Sequence, residues 1–190
     1  MFHIKDDVRA QRSAQLMYAG LMKVLEEKKL SDVTVTDVSL ASTVGRATFY
    51  RNFDEVTDIL WWRVNDEFAR VLNAFVDSHA TFDEPDELLT YLLRYWMRHS
   101  RDLEVLMEAN RLDVIYDCFV GNAGVVVDYM RKLGKDVATD HPDYFVATRA
   151  GFFVAIFKTW LQNGKRESPE EVARIVTEQH EQLVRTGVLA

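Results

Sequence analysis

The run Thr34-Val35-Thr36-Asp37-Val38-Ser39-Leu40-Ala41-Ser42-Thr43-Val44-Gly45-Arg46-Ala47-Thr48-Phe49-Tyr50-Arg51-Asn52-Phe53 decides the reading of this chain. Thr34 is a good N-cap and Asp37 follows three residues later, close to a capping box with Asp in the Glu position. Val35, Val38 and Ala41 mark a short apolar helix face, and Thr43-Val44-Gly45 reads as a turn. A second short helix is expected over residues 46–52, and Phe53-Asp54 opens a third. Two short helices joined by a tight turn, after a longer one, make the helix-turn-helix arrangement. Its second helix must protrude far enough to enter a duplex groove about 12 Å wide, with small or aromatic packing inside and polar groups outside. Arg46, Thr48, Tyr50, Arg51 and Asn52 supply the polar groups within seven residues. Phe49 and Phe53 are expected to anchor inward, and Ala47 is small enough for close approach to the first short helix.

Upstream, residues 5 to 28 place Val8, Ala14, Met17, Tyr18, Leu21, Val24 and Leu25 mostly three or four apart, one face of a helix. Downstream, a long helix is expected from 54 to 79, a loop over 81 to 84, and a helix with Pro85 in its first turn running to His99. Ser100 caps a short helix to Glu108. One helix is expected from 111 to 133, closed by Gly134, with Gly121 and Gly124 inside it to bend it or to allow close packing. Residues 135 to 140 read as a polar connection before a strongly apolar helix from His141-Pro142 to Gly164. Ser168-Pro169-Glu170-Glu171 is the clearest helix start in the chain. The last helix runs to Thr186, before Gly187, for about nine helices in an all-α fold.

Composition narrows the function classes. The 190 residues suffice for a real core, and 3 prolines with 8 glycines favour long helices. The single cysteine, Cys118, rules out an intrachain disulfide and fits a reducing cytoplasm. One cysteine and five scattered histidines show no metal-ligand spacing. Gly-rich phosphate loops and nucleophile motifs are absent too, so neither enzyme chemistry nor a cofactor is expected. No apolar run is long enough for a membrane span, and the N-terminal residues lack the pattern of a signal peptide. The net charge of -7 is unevenly spread: residues 1–53 carry +2 and residues 54–190 carry -9. A slightly basic head on an acidic body suits a DNA reader whose body stays off the phosphates.

The 34–53 run resembles the signature of the TetR family of transcriptional regulators. Thr34, Val35, Val38, Ala41, Val44, Arg46, Thr48, Phe49, Tyr50, Arg51 and Phe53 carry the likeness, and Asp58-Ile59-Leu60 extends it. Four positions depart from the pattern: Thr43 where Gly is usual, Gly45 where Ser or Asn caps, Asn52 for His, and Val56 for a phosphate-touching Lys. The resemblance implies a DNA-binding domain over residues 1–53 and a helical ligand-sensing, dimer-forming domain over 54–190. It implies a repressor that binds a palindromic DNA operator as a homodimer and is released by a small-molecule effector. By the same resemblance Arg46 and Ala47 face base edges, Arg51 reaches a base or a phosphate, and Thr36 approaches the groove. Thr34, Thr48, Tyr50 and Asn52 contact phosphates.

The segment from Phe152 to Glu171 resembles the last two helices of one branch of the family, which form a four-helix dimer interface. Phe152, Ile156, Trp160, Val172 and Ile175 are the candidate interface residues. A helix apolar all round needs cover on all sides, some of it from a partner. Trp62, Tyr95, Trp96, Met107, Tyr116 and Phe119 are candidate pocket residues, to be weighed against ordinary helix-bundle core. Cys118 reads as a buried filler rather than an oxidant sensor. The alternatives are a co-regulator of the same fold acting through a protein partner, and an all-α enzyme, whose chemistry no motif supports.

Overall fold

The computed structural model describes residues 1–5, 7–78, 87–134 and 141–187. The expected loop at 81 to 84, the Pro85 start and the polar connection at 135 to 140 lie outside the described residues. The described residues hold ten α-helices: α1 (Val8–Val24), α2 (Val35–Ser42), α3 (Arg46–Asn52), α4 (Thr57–Ser78), α5 (Glu87–Arg98), α6 (Arg101–Glu108), α7 (Leu112–Asn122), α8 (Gly124–Lys132), α9 (Pro142–Gln162) and α10 (Pro169–Arg185). The only β pairing among them is an isolated bridge between Phe2 and Phe53. The protein is all-α. The stretch expected as one helix from 111 to 133 is two, α7 and α8, which meet at Ala123. Gly121 and Gly124 flank that break, where poor helix propensity lowers the cost of interrupting the ladder.

The helix ends follow the local chemistry. Asp7 caps α1 by accepting the backbone N–H groups of Arg9 and Ala10. Ser168 and Glu171 form a reciprocal capping box at α10, with Pro169 in its first turn. Each such cap satisfies donors that the helix itself leaves unpaired.

The chain divides into two compact units, Met1–Phe68 with Asp102–Cys118, and Ala69–Arg101 with Phe119–Ala190. In the first, α1 packs on α2 and α3. Its core holds Ala14, Met17, Leu21, Val38, Phe49, Phe53, Ile59 and Leu60, together with Leu103, Leu106, Val114 and Ile115 from the returning segment. Gly20 of α1 sits so close to α2 that an added Cβ would lie 2.7 Å from both the Cβ and the backbone nitrogen of Ser42. The close approach expected at Ala47 is therefore made by Gly20; Ala47 is exposed.

In the second unit, α5 packs on α10. The Arg94 side chain reaches Glu170 at 2.8 Å. Phe119, Phe153, Phe157 and Trp160 form a continuous aromatic run. No helix among the described residues is long and apolar enough to cross a membrane.

Candidate nucleic-acid interface

The first short helix starts where the side chains predict. Thr34 Oγ1 accepts the Asp37 backbone N–H at 3.2 Å, and Asp37 Oδ2 accepts the Thr34 backbone N–H at 2.9 Å. Lys28 Nζ lies 2.8 Å from the other Asp37 oxygen. Lys28, then the Thr34 donors, hold the Asp37 carboxyl at about 2, below the usual carboxylate range. The turn after α2 is made by Thr43 in the left-handed region, at φ 60°. A β-branched residue is strained there, which is why glycine is the common choice. Ser42 Oγ accepts the Val44 N–H at 3.2 Å and braces the same turn. Gly45 occupies the N-cap of α3 in an extended conformation, with no side chain to cap it.

Helix α3 has two sharply different faces. Phe49 and Asn52 are buried and Phe53 follows them into the core. Arg46, Ala47, Tyr50 and Arg51 are exposed, and Thr48 is intermediate. Steps of three and four bring each set onto one side. Phe49 meets Tyr50 edge-on at 5.4 Å and Phe53 at 5.8 Å, so the inner anchor also steadies an outer aromatic. The end of the helix is strapped down by the N-terminal residues. Phe2 bridges to Phe53, the His3 backbone N–H donates to the Asn52 carbonyl at 2.7 Å, and His3 Nε2 lies 2.9 Å from Asp54. Asp58, buried at the start of α4, accepts the backbone N–H groups of Asp54 and Glu55, both at 2.9 Å.

The structure thus brings Thr34, Thr36, Arg46, Ala47, Tyr50 and Arg51 to the surface of the α2–turn–α3 motif. Asn52 stands apart from them: it is buried, and its Nδ2 donates to the Thr48 carbonyl at 2.7 Å. The amide expected to face a phosphate is used inside the helix, because the polar atoms of a buried side chain must find a local partner. Val56, where a phosphate-touching lysine is usual, is part of the core.

Among the pocket candidates, Trp62, Met107 and Tyr116 belong to the first unit, and Tyr95, Trp96 and Phe119 to the second. Trp96 and Phe119 are buried core residues, and the other four are intermediate. Of the interface candidates, Phe152 is 55% exposed and Ile175 37%, and Ile156 is intermediate. Trp160 and Val172 are buried by the chain itself, and Trp160 Nε1 donates to the Glu167 carbonyl at 3.0 Å. The Cys118 thiol is pushed up by burial and by the nearby Asp117 charge, so it stays protonated and unreactive. No group of three His, Cys, Asp or Glu able to hold a metal occurs among the described residues.

One arrangement has no signal in the sequence. Tyr18 Oη donates to the Asp102 carboxylate, at 2.9 and 3.1 Å from its two oxygens. The Arg63 guanidinium lies over the Tyr18 ring. Burial, then the Asp102 charge, raises the phenol above its ordinary value, so it remains a donor. Arg111 adds a second tie, to Glu55 at 3.2 Å, while also pairing with Asp113. Residues 84 and 56 positions apart meet here, and no local pattern reports such pairs.

The backbone can be compared with solved structures. The chain has the fold of Lin0861 from Listeria innocua. The crystal structure of that protein superposes with a TM-score of 0.77, over 95% of this chain and 96% of that one, at 16% sequence identity. At that identity the likeness speaks for the fold alone. No family model and no curated protein matches the chain.

Proposed function

We propose that the chain is a TetR-like transcriptional regulator that binds a palindromic operator as a homodimer and is released by a small-molecule effector. The observation that carries this reading is the division of α3. An apolar inner face roots the helix through Phe49 and Phe53, while Arg46, Ala47, Tyr50 and Arg51 stand outside. Two guanidinium groups and a phenol on the outer face of this short helix match the donor needs of a major groove and its phosphates. Neither arginine has a carboxylate partner among the described residues, in contrast to Lys28, which is tied to Asp37. The exposed apolar residues Phe152, Ile175, Leu183 and Val184 on α9 and α10 are suited to pairing with a second copy. Such a dimer would present two recognition helices about 34–36 Å apart, one turn of the duplex.

The test is a gel shift of the protein on the DNA upstream of its own reading frame, across a salt series. A sequence-specific shift that weakens with salt is expected. Arg46→Ala and Tyr50→Ala should each abolish or sharply weaken it without altering the far-ultraviolet spectrum. A full-length protein that shifts no duplex specifically, yet captures a defined protein partner, is instead a co-regulator of the same fold.

A further inference from the structure

The outer face of α3 carries a narrower message than duplex binding, and the inference drawn from it rests on the regulator reading above. Ala47 is exposed and ends in a bare methyl group. It follows Arg46 directly, and Tyr50 and Arg51 stand one turn further on. Tyr50 is 52% exposed and is held edge-on by the fully buried Phe49. The exposed face thus carries the Ala47 methyl among polar neighbours: Arg46 precedes it, and Tyr50 and Arg51 lie three and four residues on, the spacing that shares one side of a helix. Thr48 is only half-exposed and the Asn52 amide is spent on the Thr48 carbonyl, so within the exposed set Ala47 is the one side chain without a donor or acceptor.

A carbon surface cannot satisfy the amino group of cytosine or adenine, or the oxygen of guanine, and pressing it there strands a polar base edge. In the major groove thymine alone offers a methyl group in return, on its C5. Arginine, with its planar fork of donors, matches guanine O6 and N7. We propose that each operator half-site sets a thymine 5-methyl against Ala47, next to a guanine read by Arg46.

The experiment uses the full-length protein and a duplex selected from a random pool. Each thymine in the selected half-site is replaced by deoxyuridine, symmetrically in both halves, which removes the methyl and nothing else. At the position beside the guanine, the loss should be about fourfold per half-site, the worth of one buried carbon group. The remaining thymines should change Kd less than twofold. Ala47→Gly and Ala47→Ser should bind the thymine duplex more weakly and lose the deoxyuridine effect, because the contact has already been removed. The proposal is overturned if no deoxyuridine position weakens binding, or if the full effect persists in both variants. Either of those outcomes leaves operator binding standing. If the selection yields no preferred duplex, the regulator reading fails, and this inference with it.

Discussion

Helices α3 and α9 solve opposite problems. Helix α3 is seven residues long, too short to be stable alone, and exists because Phe49, Asn52 and Phe53 are packed beneath it. Its exposed side is largely polar and ready for a polar partner. Helix α9 has 21 residues and buries a stripe of Ala150, Phe153, Phe157 and Trp160, yet leaves Tyr144 and Phe152 exposed. Its exposed side keeps large apolar groups in water. The contrast teaches that a rooted polar face and an uncovered apolar face call for different partners, and that substitutions on the two should report through different measurements.

The largest effect is expected at the root of α3. Phe49→Ala removes a fully buried ring and should cost about 3–5 kcal/mol, read from denaturant unfolding. A loss below 1 kcal/mol would show that α3 does not depend on this anchor. Next comes Gly20→Ala, which drives a Cβ into Ser42. A cost of about 1–3 kcal/mol is expected, because backbone and side chain both stand in the way. Thr43→Gly should act in the other direction. Relief of the left-handed strain is worth about 1–2 kcal/mol, partly offset by the freer unfolded chain, for a modest gain in midpoint.

On α9, Phe152→Ser should change the unfolding of the single chain by less than about 0.5 kcal/mol. It should instead lower self-association in sedimentation. A large stability loss with unchanged association would reverse the roles assigned to the two helices.

The smallest effect is the acid end of the profile at Asp37. Its carboxyl is depressed in the folded state, so its contribution is present above the unfolded value of 3.8 and fades as pH falls toward about 2. Asp37→Asn should flatten the stability profile in that window and leave it unchanged in shape above pH 5.

Much of the head was legible because its signals are local. The Thr34–Asp37 box, the turn at 43 to 45 and the spacing of Phe49 and Phe53 lie within a few residues of each other, where side-chain chemistry and helix period act directly. Asn52 misled because polarity alone does not say which side of a helix a residue occupies; its position three after Phe49, and beside Phe53, places it inward. Ala47 misled on packing for the same reason. Gly20 left a faint trace, a glycine in an otherwise regular apolar helix.

Helical character, the bounds of most helices and the short segment that carries the turn could all be read from the order of residues alone. Caps, breakers and apolar spacing act over a turn or two, so they can be read in one dimension. It took the folded chain to show that Gly20 makes the close approach, that Asn52 is spent on its own helix, and that Asp102–Cys118 joins Met1–Phe68 in one unit through Tyr18 and Glu55. Those outcomes depend on which distant side chains meet when the core closes, and burial, not local pattern, selects among them.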